Sequence, residues 1–383
     1  MIVFSRLRRA YISLSLIQAD RFLRARILVP FSVVSLLAVG SPALALTEPV
    51  GTASSTQSVT VTVATAGTVG SIAVLTQGAA NKDFQYVTGG TCAVGATYAV
   101  NATCTVEYTF TPSRPGQRLA AVVLESNASP AVPMSTTLLA ATGTGPLVTF
   151  PGSTTEATLG ANNYPEGVVV DGAGDVFFTN TQDLHVTEFV AGTGGNASGV
   201  VSSNSTQFTI ATTAGDISLA MDGAGDLFVG GGTNNKVTEI LAGTNGNAAG
   251  VVSSTSATVS VGSTNGSFSN PFGVAVDSAG DVFVADYSNN AVKEIVAGTG
   301  GNPPEVVSAA STVVTVNSTF TTPIGVAVDV AGDVFVTDKT NSLKEIEAGT
   351  GGNAAGVVSS SSTVVTIATG FSTPYLIAPT PAL

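Results

Sequence analysis

Tryptophan is absent from this 383-residue chain, histidine occurs once, cysteine twice and methionine three times. Aromatic residues make up 6% and charged residues 10%. Without Trp and with few aromatics, the core has to be aliphatic. A single histidine puts out of reach any site that needs several convergent imidazoles, whether for metal or for acid–base work. Basic residues are also scarce, 13 Lys+Arg against 25 Asp+Glu, for a formal net charge of −12. That sign argues against nucleic acid and anionic membranes as partners. What the chain has in abundance is Gly, Ser, Thr, Val and Ala, and Val and Thr suit a pleated surface.

Residues 1–45 read as an export signal. Arg6, Arg8, Arg9, Arg21, Arg24 and Arg26 form a basic front, residues 27–39 an apolar run, and Ala43-Leu44-Ala45 a small-x-small cleavage site. Residues 27–46 carry no charge and are long enough to span a bilayer, so the segment is either cleaved or kept as an anchor. In both cases the basic front places the rest of the chain outside the cytoplasm, secreted or in the cell envelope. Membrane association is expected only if the segment is uncleaved. Past residue 45 there are 7 Lys+Arg and 24 Asp+Glu, a net charge of −17. In an exported chain the lone pair Cys92 and Cys104 is most simply a disulfide. The other option, a two-ligand metal site, has no neighbouring His or Cys to complete it.

Residues 46–145 alternate strand-like runs with turns. The best strands are 58–65, 72–76, 84–88, 104–111 and 119–125, a spacing that predicts a β-sandwich of about 100 residues. The stretch Cys104-Thr105-Val106-Glu107-Tyr108-Thr109-Phe110-Thr111-Pro112, followed by Gly116 and a strand at 119–124, resembles bacterial immunoglobulin-like domains. The buried Trp of antibody-type domains is missing, so the resemblance implies the sandwich alone, in a spacer or adhesive role.

From residue 146 to 383 a different pattern takes over. A Val-x-Val-Asp strand, an Asp-x-x-Gly-Asp turn and an Asp-Val-Phe-Val strand recur four times, with the first Asp at Asp171, Asp222, Asp277 and Asp329. A period near 50 residues marks a stacked array of small units. Third strands are expected at 186–190, 237–241, 292–296 and 343–347, and fourth strands at 208–211, 258–261, 313–316 and 364–368. Four antiparallel strands per unit make a propeller blade, so the fold class is all-β. The four units run near 165–211, 216–261, 271–316 and 323–368. A partial fifth is expected at 374–378, and a lone fourth strand at 147–150. Pro271-Phe272-Gly273-Val274-Ala275-Val276-Asp277, Gly280-Asp281-Val282-Phe283-Val284-Ala285-Asp286 and Asn289-Asn290-Ala291-Val292-Lys293-Glu294-Ile295 resemble an NHL repeat. The second unit departs from it, with Ser218 for the Gly and Gly230 for the strand-ending residue. The resemblance implies an NHL-type β-propeller, usually of five to seven blades and mostly a binding platform, with a few lyases and hydrolases among relatives. Four clear blades imply either an arc or a ring with one makeshift blade.

The candidate chemistry is sparse. His185 falls where the other units have Lys236, Ala291 and Ser342, as expected of an ordinary exposed strand residue. The pairs Asp171/Asp175, Asp222/Asp226, Asp277/Asp281 and Asp329/Asp333 either ring a hard cation or bond turn amides, and the repeat favours turns. Gly192-x-Gly194-Gly195 and its copies lie between strands without a helix, so a flexible loop is expected rather than a phosphate cradle. Lys293-Glu294 and Lys344-Glu345 read as solubilising charges on outer strands. A binding face would be built from loops at one rim. The loops after the second strands carry Gln182, Asn234, Tyr287, Asn289, Lys339 and Asn341, and the loops before each unit carry Tyr164, Phe268, Phe272, Phe320 and Tyr375, a mixture of amides and aromatics suited to a glycan or an extended peptide. Of these, Tyr287, Asn289, Lys339 and Asn341 are the candidate ligand rim. No catalytic residue, metal ligand or cofactor is expected. The chain reads as an exported, non-catalytic binding or adhesion scaffold with an unidentified protein or glycan ligand. The alternatives are a propeller lyase or lactonase-like enzyme, and a structural envelope protein that self-associates through open propeller edges.

Overall fold

A computed structural model describes residues 46–129, 131–145, 159, 164–212, 218–264, 267–375 and 377. The expected export segment 1–45 and the lone strand at 147–150 lie outside the described residues.

Two sheets share the first core. One has the order β1 (Leu46–Pro49), β9 (Pro133–Thr144), β8 (Gly116–Ser126), β3 (Gly67–Thr76), β4 (Ala79–Ala80), with β6 (Thr97–Tyr98) also pairing β3. The other has the order β2 (Gln57–Thr62), β7 (Thr103–Phe110), β5 (Phe84–Val87). Val61 and Val106 from the second sheet meet Val74, Val122 and Leu124 from the first, with Phe84 and Phe110 between them at 4.7 Å centroid separation. Cys92 and Cys104 are bonded to each other inside this core. All five expected strands are present. Four were missed: β1, which pairs β9 in parallel, β9 itself, and the two-residue strands β4 and β6. The β9 sequence, Pro-Met-Ser-Thr-Thr-Leu-Leu-Ala-Ala-Thr-Gly-Thr, has no alternation because both of its faces are partly buried.

The remaining strands form four antiparallel four-stranded sheets, each in plain chain order. Blade 1 comprises β10 (Pro165–Val170), β11 (Val176–Asn180), β12 (His185–Phe189) and β13 (Gln207–Thr212). Blade 2 comprises β14 (Ser218–Met221), β15 (Leu227–Gly230), β16 (Val237–Ile240) and β17 (Thr258–Val261). Blade 3 comprises β18 (Pro271–Val276), β19 (Val282–Asp286), β20 (Ala291–Val296) and β21 (Thr312–Asn317). Blade 4 comprises β22 (Pro323–Val328), β23 (Val334–Asp338), β24 (Ser342–Ile346) and β25 (Val364–Thr369). The first strands of successive blades contact one another, β10 with β14, β14 with β18 and β18 with β22, so first strands lie innermost. Aliphatic clusters fill each blade junction, for example Val274, Val276, Val282 and Ile295 with Phe228 of the preceding blade.

After blade 4 the chain returns to its inner strand. Thr337 Oγ1 donates to the Tyr375 carbonyl at 2.5 Å, and a Cβ on Gly325 would meet the backbone of Tyr375 and Ile377. In the preceding junctions the Cβ positions of Gly167 and Gly273 meet the next first strand in the same way. Pro374-Tyr375 therefore occupies the place of a fifth first strand.

The Asp-x-x-Gly-Asp turns are built as expected of turn residues. Asp171 Oδ1 accepts the amides of Ala173, Gly174 and Asp175, each at 2.8 Å, and Gly174 sits at φ 97°, a region open to Gly. The second Asp reaches outward: Asp175 Oδ1 accepts from Ala191 N, Asp226 from Ala242, Asp281 from Ala297 and Asp333 from Ala348, at 2.6–2.7 Å. The Gly-rich loops are not the loose connections expected. In each, a Thr hydroxyl closes the loop and an Asn side chain bridges it to a Ser, as Asn196 Nδ2 does to Ser205 Oγ at 2.9 Å and Asn353 Nδ2 to Ser362 Oγ at 2.9 Å.

The sandwich covers the Asp-turn end of blades 1, 2 and 3, while Val330 and Ala331 in the blade 4 turn are exposed. Gly172 N donates to Gln77 O and Gly78 N to Gly223 O. Ala224, in the second Asp turn, is buried against Leu75, Ala121, Val123 and Leu138. A Cβ on Gly223 would lie 2.0 Å from the Ala120 carbonyl, which requires glycine there. This double burial explains the unbroken Leu-Ala-Ala-Val-Val-Leu run of β8: Ala120, Val122 and Leu124 enter the sandwich core, while Ala121 and Val123 meet the blade.

Candidate functional site

The sandwich packs on the Asp-turn end of blades 1 to 3, and among the described residues it does not reach the opposite rim. That rim carries the starts of the first strands and the loops after the second strands. The loop Tyr287–Asn289 is a single 3-10 turn closed by Asn290 in the left-handed region. Beneath it, Asp286 is fully buried, accepts from Ser269 N, and pairs with Lys293 Nζ at 2.6 Å. In blade 4, buried Asp338 pairs with Lys344 Nζ at 3.1 Å. Burial works against the Asp338 charge, but the amides of Thr321, Thr340 and Thr322 and the Lys344 ammonium outweigh it and leave its pKa below the usual value. Lys293 lies 5.5 Å from the Phe268 ring centroid and Lys344 5.0 Å from that of Phe320. These lysines were expected as exposed solubilising charges. Instead they are largely buried struts of the rim loops, because β20 and β24 are third strands covered by a fourth.

On these supports the structure gathers two of the four expected rim residues. Tyr287 packs on Phe272 with centroids 4.8 Å apart, and exposed Lys339 lies 5.4 Å above the Tyr287 ring with Nζ 3.4 Å from its hydroxyl. Two further residues complete the cluster, Tyr375 from the aromatics of the loops before each unit and Glu166, which was not among the expected residues. Tyr375, 44% exposed, follows from the tail's return to blade 4. Glu166 holds the equivalent first-strand position in blade 1, next to Gly167. Burial and then the Glu166 charge raise the Tyr375 hydroxyl pKa, Lys339 opposes them and Tyr287 adds to them, so the four groups are within electrostatic reach. Burial also raises Glu166, against a hydrogen bond from Thr181. The other two expected residues serve the chain itself. Asn289 Nδ2 donates to Asp286 Oδ2 at 2.7 Å, and Asn341 accepts Gly370 N and Thr373 N, steering the tail inward. The signal for Glu166 and Tyr375 was their shared position before the fifth-strand or first-strand glycine site, Pro-x-Gly in blades 1, 3 and 4 and Pro-Tyr-Leu in the tail.

A second set of titratable groups lies at the Asp-turn end. In each blade the third-strand Glu sits opposite the second-strand Phe, as Glu188 opposite Phe177, and in blades 1 to 3 it feels the charges of both turn aspartates. Burial, then the neighbouring Asp charges, pushes Glu188 up to about 8 and Glu294 up to about 8, and Glu239 well above its usual value. Burial likewise takes Asp171 to about 6 and Asp277 to about 7. In blade 3 Glu294 hydrogen-bonds Asp281 directly. Of these, Glu294 was expected on an exposed face. The turn folds over it instead. Among the described residues, no group of three or more His, Cys, Asp or Glu has the geometry to hold a metal ion. His185 is half-buried, with Nδ1 3.2 Å from the Asp183 carbonyl, and joins neither set.

Residues 268–295 match the family model of the NHL repeat. This NHL repeat contains the Phe272–Tyr287 pair and the Asp286–Lys293 strut, and the other three blades repeat its strand order. No curated protein matches the chain. Among solved structures, the chain is similar to virginiamycin B lyase from Staphylococcus aureus at 9% identity and TM-score 0.36, covering 85% of this chain and 94% of that one. It is similar to a putative 6-phosphogluconolactonase from Bacteroides uniformis at 11% identity and TM-score 0.36, covering 70% and 78%. A protein of unknown function from Bacteroides thetaiotaomicron has 15% identity and TM-score 0.29, covering 86% and 93%. No activity is carried over from them.

Proposed function

We propose that the chain is an extracytoplasmic, non-catalytic binding scaffold. The NHL-type blades take a glycan or extended peptide on the rim of Glu166, Phe272, Tyr287, Lys339 and Tyr375, and an immunoglobulin-like sandwich serves as the stalk. The observation that carries this reading is the division of the two ends. The sandwich occupies the Asp-turn end of blades 1 to 3, while the opposite rim presents an aromatic pair and a lysine that makes no ion pair among the described residues. Aromatic faces with a lysine and a glutamate that both act on the Tyr375 hydroxyl suit ligands with apolar faces and polar edges. The Cys92–Cys104 bond supports an oxidising compartment.

The test is selection of binders from a random-peptide phage library and an oligosaccharide array, with the full chain and the variant Tyr287→Ala/Lys339→Ala. Binders should weaken about tenfold or more in the variant, the loss of one hot-spot contact. Unchanged binding would refute the rim assignment. A propeller enzyme of lyase or lactonase kind has one observation in its favour, the coupling of Glu166 to the Tyr375 hydroxyl. Turnover of a lactone panel that disappears in Glu166→Gln would establish that second reading instead.

A further inference from the structure

At the junction of the sandwich with blades 2 and 3 lies a partly open cavity of about 260 Å³. Its walls are mostly apolar, Met134 on the sandwich side and Phe228 on the blade side among them. Four carboxyl-bearing residues line it: Asp222 and Asp226 of the second turn, Glu239 of β16, and Glu305 from the blade 3 loop. No Lys, Arg or His lines it, and the sandwich wall contributes no titratable group.

Glu239 is the decisive residue. It is 4% exposed, lines the cavity, and receives no hydrogen bond or ion pair among the described residues. Its charged neighbours are Asp226 and Asp222, both of the same sign. Glu188, the equivalent residue in blade 1, is raised by the same causes, burial and its two turn aspartates. In blade 1 the Lys82 charge acts on Asp175, and in blade 3 Glu294 shares a hydrogen bond with Asp281. Asp222 and Asp226 spend one oxygen each on backbone amides. Burial and its aspartate neighbours leave Glu239 protonated in the cavity, and a cation that brings its own hydrogen-bond donors would take that proton's place. A metal ion does not fit, because the carboxylates do not converge with ligand geometry. An ammonium group fits, since it needs donors directed at separate oxygens, and the apolar walls fit a short carbon body.

We infer that this cavity is a binding site for a small organic amine, its ammonium held by Glu239 with Asp226 and Asp222 and its carbon chain against Met134 and Phe228. The inference is independent of the rim ligand.

The test is isothermal titration of the full chain at pH 7 with n-butylamine and putrescine, with n-butanol, magnesium and calcium as controls. Saturable binding of an amine is expected, with n-butanol and both metals silent. Binding should release protons, read as a heat that depends on the ionisation enthalpy of the buffer, because the carboxyls must ionise to pair with the ammonium. That signature separates the cavity from adsorption on the acidic surface. Glu239→Gln should weaken binding at least tenfold, and Ala64→Trp, which narrows the cavity without removing a carboxyl, should also weaken it. Glu188→Gln, the same position in blade 1, should leave it unchanged. No saturable amine binding, equal binding by Glu239→Gln in a folded protein, or binding of a metal ion instead would overturn the inference.

Discussion

Glu305 stands where the other three Gly-rich loops have Gly199, Gly250 and Gly356, at φ 74°, 78° and 79°. It adopts the same left-handed conformation, φ 65°, which costs a residue with a Cβ about 1–2 kcal/mol. In return its carboxylate accepts the Leu138 amide on β9, so the strained residue ties the sandwich to blade 3. Burial pushes Glu305 from 4.5 up to about 7, against the Leu138 hydrogen bond. The folded state therefore holds a proton that the unfolded chain has already lost. This group favours folding below pH 4.5, and that contribution falls as pH rises through about 7. At about 1.4 kcal/mol per unit the full effect is roughly 3 kcal/mol, and partial exposure reduces it to about 1–2 kcal/mol. Glu305→Gln keeps an acceptor oxygen and cannot ionise. Relative to the parent it should gain about 1–2 kcal/mol between pH 5 and pH 8 in urea unfolding. Glu305→Gly relieves the backbone but strands the Leu138 amide, about 1–3 kcal/mol, so it should be neutral to destabilising at both pH values. A glutamine variant whose stability difference between pH 5 and pH 8 equals the parent's would refute the argument.

The same sign applies to Asp171, Glu188, Asp277 and Glu294, whose values are raised to between about 6 and about 8. The whole protein should melt at a higher temperature near pH 5.5 than near pH 8.5, and a calorimetric profile rising across that interval would contradict the buried acid clusters. Asp338 acts oppositely: its lowered pKa contributes stability that is lost only as pH falls below the ordinary carboxylate range. Reduction of the Cys92–Cys104 bond should cost roughly 2–3 kcal/mol for a loop of this size. Intact mass after alkylation should find no free thiol without reductant, and two would sink the pairing. Lys344→Ala leaves buried Asp338 with backbone donors alone and should destabilise by about 2–3 kcal/mol. An unchanged melting temperature would mean that the pair is not a strut of the rim.

Local chemistry was legible in the repeat. Asp-x-x-Gly-Asp dictates a turn wherever it occurs, because the Asp oxygen caps the next amides and Gly takes the positive φ. The second strand that follows, and the strand order of each blade, repeat with it. The five strongest sandwich strands and the Cys92–Cys104 pair were equally readable, the latter as the one close pair. Charge placement was not. Lys293, Glu294 and Lys344 look like surface charges in a strand pattern, and only the fourth strand and the overlying turn bury them. β9 was invisible because its two faces are covered by different partners, which erases alternation. The rim could be enumerated from its loops but not chosen, and Tyr287 and Lys339 could not be told from Asn289 and Asn341. The choice rests on the sandwich covering the Asp-turn end of blades 1 to 3 and the tail returning Tyr375 to blade 4. Both are contacts between segments far apart in the chain, and such contacts follow from how faces fit together rather than from any local run of residues.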